Sequence, residues 1–222
     1  MTSSRPYASP RRNLADTATS VDLLWREIGR EYGGGELHSL ERAELHELDC
    51  DAGIDFVQFL PNRQRRTWAS RFQWGPVWYA SFSIRVKTAA GRPTEYQKRL
   101  LATREGTLLP DRTLQGYLDG RPPSGGLIAA ATIETRALYR WLDGPDLGRH
   151  WNAWAEGRQH RPRGDRLLPQ PLHWCGYRQM RGGEVFMFLT WELLEHVGLP
   201  ITVHHFRDVP MRLWDPVVVS HG

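Results

Sequence analysis

Two aspartates bracket a glycine in the run Asp51-Ala52-Gly53-Ile54-Asp55. The second aspartate stands where an apolar, strand-like stretch from 54 to 60 begins. A carboxylate at the end of a strand can bind Mg²⁺, a cation that prefers oxygen ligands and keeps waters able to attack a phosphate. The same residue types also form ordinary turns. The run therefore has two interpretations, a turn or part of a metal site.

The run from Asp51 to Asp55, followed by a strand, a turn and a second strand, resembles the PD-(D/E)XK nuclease superfamily in its Mrr-type form, D-x-G-[IV]-D. The similarity covers roughly residues 20 to 90. It implies a restriction-endonuclease-like core, Mg²⁺ as cofactor, DNA lying across the site and metal-dependent endodeoxyribonuclease activity. Asp55 falls on the metal-binding aspartate of the family, and Asp51 falls on the preceding acidic position.

The resemblance also implies a glutamate on a preceding helix. Glu44, which lies close to the aspartates in sequence, completes the predicted metal site, and Glu47 is equally close. Glu27 and Glu31, in an earlier helical stretch, are the other choices. Because charged residues on a helix usually form a solvated face, the sequence leaves this choice open.

The family's third motif, (E/Q)-x-K, is altered in this sequence. The expected strand offers Ala69-x-Arg71, and the next strand offers Arg85-x-Lys87, so the basic catalytic position falls on Arg71 or Lys87. Either alignment lacks a carboxylate or amide ligand. An arginine also stays protonated and cannot shuttle a proton as a lysine can.

Alternation along a strand places Arg85 and Lys87 on one face. With Arg71 they are the predicted DNA-phosphate contacts, because such contacts rely on Arg and Lys. The altered third motif motivates a second hypothesis, a catalytically inactive nucleic-acid-binding subunit. A third hypothesis is a protein-assembly subunit. Some of the ten tryptophans would then form its interface with a protein partner or with a second copy of the chain.

Composition limits the class of protein. The chain has 222 residues, a net charge of +4, and arginine as its dominant basic residue. No apolar run approaches the ~20 residues that span a bilayer, and the first residues lack the apolar core of a secretory signal. We therefore expect a cytoplasmic location and no membrane partner. Cys50 and Cys175 are far apart and have no metal-ligand spacing.

The order of elements predicts an α/β fold with a mixed central sheet flanked by helices. Residues 1–19 are predicted to form a flexible basic arm, and 20–222 a single domain with an irregular Trp- and Arg-rich insertion around 144–171. A helix is expected from Ser20, stopped by three glycines at 33–35. Strands at 54–60, 67–74 and 77–87 are expected to form a meander.

Further along the chain, Thr94 and Thr190 are expected to cap helices, and another helix is expected at 135–142. The stretches 126–132, 184–189 and 201–206 have the apolar character of strands. Within the last of these, His204 and His205 are adjacent, so their imidazoles point to opposite faces of the strand. That arrangement disfavours a metal shared between the two histidines.

Overall fold

A computed structural model describes residues 10–39, 52–88, 90–145, 175–179 and 183–211. The helices are α1 (Pro10–Ile28), α2 (Glu95–Glu105), α3 (Thr135–Leu142) and α4 (Trp191–His196). The strands are β1 (Glu36–Ser39), β2 (Phe56–Phe59), β3 (Arg65–Trp74), β4 (Ser81–Lys87), β5 (Arg112–Leu118), β6 (Leu127–Glu134), β7 (Cys175–Gln179), β8 (Val185–Thr190) and β9 (Ile201–His205).

Helix α1 starts earlier than the sequence pattern indicates. It begins at Pro10 and not at Ser20, so residues 10–19 of the predicted arm are helical, whereas 1–9 lie outside the described residues. Proline suits the first turn of a helix because its missing N–H has no intrahelical partner there. Val21, Leu24 and Ile28 bury one face of the helix against the sheet.

The end of α1 is set by glycine, as predicted. A 3-10 turn, Gly29–Tyr32, extends the helix, and three successive glycines at 33–35 then adopt positive φ. At Gly35 a Cβ atom would lie 2.0 Å from the carbonyl oxygen of Phe59. Glycine is therefore required where the chain turns back into β1, because any side chain would collide with β2.

The central sheet has six strands in the order β1-β2-β3-β5-β6-β9. Only β3 and β5 pair in parallel, and the other neighbours are antiparallel. A parallel pair needs a crossover, and α2 lies in the connection between these two strands. The fold is thus a mixed α/β arrangement with a largely central sheet flanked by helices, as the sequence predicts.

The predicted three-strand meander is wrong in its last member. β2 and β3 pair as expected, but β4 joins a separate three-stranded sheet of order β4-β8-β7. The reason lies in β3, whose two edges are already occupied by β2 and β5. β4 instead packs its apolar residues Phe82, Ile84 and Val86 into the larger core.

Two cores lie on opposite faces of the central sheet. The smaller joins α1 to β2, β3 and β5, and the larger joins α2, α3 and α4 to β5, β6, β9 and the second sheet. The sequence pattern did not predict β5, because Arg112–Leu118 mixes polar and apolar residues. In the fold, Leu114 and Tyr117 of this strand are buried on opposite faces of the sheet. The caps at Thr94 and Thr190 are confirmed.

Within the described residues, none of the helices combines the length and apolar character needed to cross a membrane. Residues 40–51 and 146–174 lie outside the described part of the chain. Nearly all of the predicted insertion around 144–171 therefore stays a prediction.

Candidate functional site

Asp55 lies just before β2 and is attached to β3 through its side chain. The backbone N–H of Ser70 donates to Asp55 Oδ2 at 2.5 Å, and the Ser70 hydroxyl lies 3.3 Å from the same oxygen. Ile54 beside it is fully buried. Asp55 thus contacts Ser70, the residue between the third-motif positions Ala69 and Arg71. Asp51, Glu44 and Glu47 lie outside the described residues.

Glu95 forms an ion-pair cluster beside Asp55 that the sequence did not predict. Arg71 Nη2 lies 3.0 Å from Glu95 Oε2, and Arg99 Nη1 contacts Glu95 Oε1. Arg99, only 3% exposed, also donates from Nη2 to the carbonyl oxygen of Gly53 at 2.9 Å. We call Arg71, Glu95 and Arg99 the Glu95 cluster. It joins β3, α2 and the turn before Asp55.

Helix α2 holds Glu95 in place through its first turn. Thr94 caps the helix, its hydroxyl accepting from the N–H of Gln97 at 3.2 Å, while the Gln97 side chain accepts from the Thr94 N–H at 2.9 Å. This reciprocal capping box is typical of helix starts. Glu95 and Arg99 are four residues apart, the spacing at which side chains meet on a helix. The signal for this part of the cluster was therefore present in the sequence.

Opposing effects act on the ionisation of Glu95. Burial raises the pKa of the Glu95 carboxyl, but the positive charges of Arg99, Arg71 and Arg85 outweigh it, so the pKa lies below the ordinary value of 4.5. Glu95 is consequently a carboxylate at neutral pH. Burial raises the pKa of neighbouring Tyr139 to about 12, so its hydroxyl keeps its proton.

Arg71 and Arg85 converge on one aromatic ring although they belong to different sheets. Their guanidinium carbons lie 5.0 Å and 5.5 Å from the centroid of the Phe186 ring. Arg85 Nε also lies 3.6 Å from Glu184 Oε1. The structure therefore brings together two of the predicted phosphate contacts.

Lys87 ends β4 just beyond these residues. A bulge between Arg85 and Lys87 interrupts the pairing with β8, yet Val86 between them is buried and Lys87 is exposed. Both cations thus reach solvent from the same strand. We call Arg71, Arg85, Lys87 and Phe186 the Phe186 surface.

The described carboxylates do not by themselves match what Mg²⁺ requires. Magnesium needs several free oxygen ligands in octahedral geometry. One Asp55 oxygen accepts from Ser70, and both oxygens of Glu95 meet guanidiniums. Among the described residues, no group of three or more metal-binding side chains is assembled.

The alternative helical glutamates lie on the α1 side of the sheet. Glu27 is exposed on α1. Glu31 lies in the 3-10 turn, where its Oε1 is 3.7 Å from His204 Nδ1 on β9. Glu31 thus belongs to a second region of the molecule.

That second region is an open cleft of about 640 Å³ at one end of the central sheet, which we call the Tyr32 cleft. The cleft is lined by Glu31, Tyr32, Gly33, Leu60, Pro61, Asn62, Gln64, Arg66, Arg112 and Thr202. Arg66 Nη1 donates to the Tyr32 carbonyl oxygen at 2.9 Å, and Arg112 lies over the Tyr32 ring at 5.2 Å. The sequence does not predict this site, because its residues come from four segments that are far apart along the chain.

Hydrogen bonds beneath the cleft hold Tyr32 in place. Its hydroxyl lies 2.7 Å from the Thr132 hydroxyl and 3.1 Å from His204 Nε2. Buried Gln58 donates to the carbonyl oxygens of Tyr32 and Gly34, at 3.0 Å and 2.6 Å. These hydrogen bonds within the protein preorganise the floor of the cleft.

His204 is the titratable group below this floor. Its side chain is 9% exposed, and burial lowers its pKa below the ordinary value of 6.5, only partly opposed by Glu31. The imidazole is neutral at pH 7. His205 points the other way, toward Trp78, so the predicted division of the two histidines between faces is confirmed.

Comparison of the chain with known protein families finds no matching family, and searches of curated proteins and of solved structures give no significant match.

Proposed function

We propose that the chain binds DNA through the phosphate backbone at the Phe186 surface. The observation that carries the proposal is the convergence of Arg71 and Arg85 on Phe186, with Lys87 extending the row of cations. Arginine suits this role because its planar fork donates to phosphate oxygens in pairs. Side chains that already cluster lose less freedom when a phosphate binds.

The order of elements around Asp55 supports a restriction-endonuclease-like core as the scaffold. Helix α1 comes first, Asp55 precedes a strand inside the sheet, and the next strand carries the Ala69-x-Arg71 position. Asp55 is joined to that strand by the bond from Ser70. This order of elements and the contact between Asp55 and Ser70 are the observations that support the proposed scaffold.

Glu95 lowers the net positive charge that the Phe186 surface presents to DNA. Its carboxylate neutralises part of the charge of Arg71, so substitution of Glu95 by glutamine should release that guanidinium and strengthen DNA binding. A phosphate would compete with Glu95 for the same donors. Binding at the Phe186 surface should therefore be weaker in the natural chain than three free cations would allow.

The test is fluorescence anisotropy with a labelled DNA duplex over a range of salt concentrations. The double variant Arg85→Gln, Lys87→Gln should bind more weakly, and its salt dependence should fall by about two counterions, since each phosphate contact contributes a slope of about 0.9. The matched control is Arg26→Gln, Arg30→Gln, which removes equal charge on the α1 side of the sheet.

No binding of DNA at low salt would overturn the proposal. So would equal losses in the two double variants, because binding would then depend on net charge and not on the Phe186 surface.

Magnesium-dependent hydrolysis by the same core is the second candidate function. The observation that favours it is the position of Asp55 beside β3, although the described residues do not assemble three metal-binding side chains there. Hydrolysis would need Asp51 and Glu44 to complete the site. Duplex, single-stranded and branched DNA should then be nicked in Mg²⁺ or Mn²⁺ by the natural chain, and left intact by Asp55→Ala. Intact DNA in every case would eliminate this candidate.

A further inference from the structure

Ion pairing divides the arginines of this chain into two groups. In the described part of the chain, carboxylates hold the arginines at positions 71, 85, 99, 104, 121 and 207. Arg66 and Arg112 belong with the arginines that have no carboxylate of the described residues within ion-pair distance, most of which are exposed. Both are half-buried and both line the Tyr32 cleft.

A half-buried guanidinium without a counter-ion is partly desolvated and still has N–H donors to satisfy. Arg66 uses Nη1 on the Tyr32 carbonyl oxygen, and Arg112 stacks on the Tyr32 ring. Each guanidinium therefore has further N–H groups that can donate to a ligand. Both positive charges therefore contact the same residue, Tyr32, and both line the same cleft.

We infer that the Tyr32 cleft binds a phosphate monoester, as the second anion site of the molecule. A phosphate monoester carries a charge of about −1.5 to −2 at neutral pH, which two unpaired guanidiniums can balance. Its oxygens accept the paired donors of an arginine fork. The volume of about 640 Å³ accommodates a group of nucleotide size.

Glu31 contributes a negative charge to the same cleft. Its carboxylate is exposed and faces His204, so it repels a second anionic group and accepts hydrogen bonds from hydroxyl or amino groups. A ligand with one phosphate and a neutral polar portion fits this distribution of charge. A free mononucleotide has that chemistry. At the phosphorylated end of a DNA strand the terminal phosphate and its nucleoside supply it, and the following phosphodiester would have to lie away from Glu31.

The inference does not depend on DNA binding at the Phe186 surface, which lies on the other side of the central sheet. Calorimetric titration with inorganic phosphate tests it directly on the full chain. Arg112→Gln should weaken phosphate binding about tenfold, the loss expected for a charge-assisted hydrogen bond. Arg112→Lys, which keeps the charge and loses the fork, should bind with intermediate affinity. Arg140→Gln, exposed on α3, is the matched control and should bind as the natural chain does.

Glu31→Gln separates a binding role from a structural one. Removing its negative charge should strengthen phosphate binding severalfold, whereas a variant that merely loosened the cleft would weaken it. Circular dichroism of each variant establishes that it is folded, and Arg112→Lys keeps the test valid if Arg112→Gln does not fold.

Competition distinguishes the two sources of the phosphate. Displacement of phosphate by a 5′-phosphorylated oligonucleotide, and not by the same strand with a 5′-hydroxyl, would assign the cleft to DNA ends. Displacement by deoxyadenosine monophosphate alone would assign it to free nucleotides. Either result supports the inference. The absence of saturable phosphate binding, or equal binding by the natural chain and Arg112→Gln, would overturn it.

Discussion

The Glu95 cluster and the Tyr32 cleft use arginine in opposite ways. In the cluster, one carboxylate meets two guanidiniums, and Arg99 is almost completely buried. In the cleft, the contacts of Arg66 and Arg112 within the described part of the chain are with a carbonyl oxygen and an aromatic ring. A buried, paired arginine joins elements of the fold, whereas a half-buried, unpaired one has donors left for a ligand. Abundance of arginine alone therefore says little about function.

The two regions also respond to acid over different pH ranges. Glu95 has a lowered pKa, so its ion pairs stabilise the fold above 4.5 and this stabilisation is lost as the pH falls below that value. His204 has a lowered pKa as well, but it is a base. The unfolded chain takes up its proton first, so stability falls as the pH drops below 6.5. As the pH falls, the cleft should thus lose its stabilising contribution before the Glu95 cluster does.

The largest expected effect is that of Glu95→Gln. The substitution leaves buried Arg99 and half-buried Arg71 without a counter-charge, and breaking a buried ion pair costs about 3 kcal/mol or more. Because the Glu95 side chain is 28% exposed, we expect a loss of roughly 2 to 3 kcal/mol in the free energy of unfolding. Urea denaturation measures it. A loss under about 1 kcal/mol would mean that the cluster is not structural and that our contrast between the two regions is wrong.

Gln58→Leu should have the next largest effect, in the floor of the cleft. Gln58 is fully buried, donates to two carbonyl oxygens and accepts from Trp68 Nε1 at 3.1 Å. Leucine leaves these groups unpaired, which should lower the free energy of unfolding by about 2 kcal/mol. Thermal and urea denaturation provide the measurement. Gln64→Leu, at the exposed rim, is the control, and a similar loss there would show that the floor is not preorganised by Gln58.

His204→Gln should have a smaller effect that depends on pH. Glutamine can still bond to Tyr32 but does not titrate, so the variant should lose the His204 contribution to the decline in stability that the natural chain undergoes as the pH drops below 6.5. Melting temperatures across that range measure the difference. His205→Gln is the matched control. If both variants keep the full decline of the natural chain, another group must account for it.

The smallest effect is expected from an exposed ion pair. Arg104 is 53% exposed and lies 2.5 Å from Asp143, and such surface pairs contribute about 0.2 to 1 kcal/mol. Asp143→Asn should therefore lower the free energy of unfolding by less than about 1 kcal/mol, and high salt should reduce the difference further. A loss equal to that of Glu95→Gln would mean that burial does not determine the strength of these pairs.

Local signals in the sequence predicted local structure well. The glycines at 33–35 end α1, Thr94 and Thr190 cap their helices, and apolar stretches predicted β6, β8 and β9. These features depend on backbone conformation and near neighbours, which a short window of sequence contains. The start of α1 at Pro10 was missed because its first turns have no apolar periodicity.

Partners across the sheet could not be predicted in the same way. The pairing of β3 with β5 excludes β4 from the meander and brings Glu95 to Arg71, 24 residues away. Phe186 joins Arg71 to Arg85 from still farther along the chain. DNA, Mg²⁺, the nuclease-like core and a protein partner or second copy stay predictions.

By itself, the sequence determined which residues can carry charge, where helices end, and that the chain forms a mixed α/β fold. Tertiary structure alone decided which arginines are paired and which are not. The physical reason is that an ion pair depends on distance and burial, and both are set by contacts between segments remote in sequence. Asp55 shows the difference: its position before a strand follows from local pattern, but only folding decided that it meets Ser70 of β3.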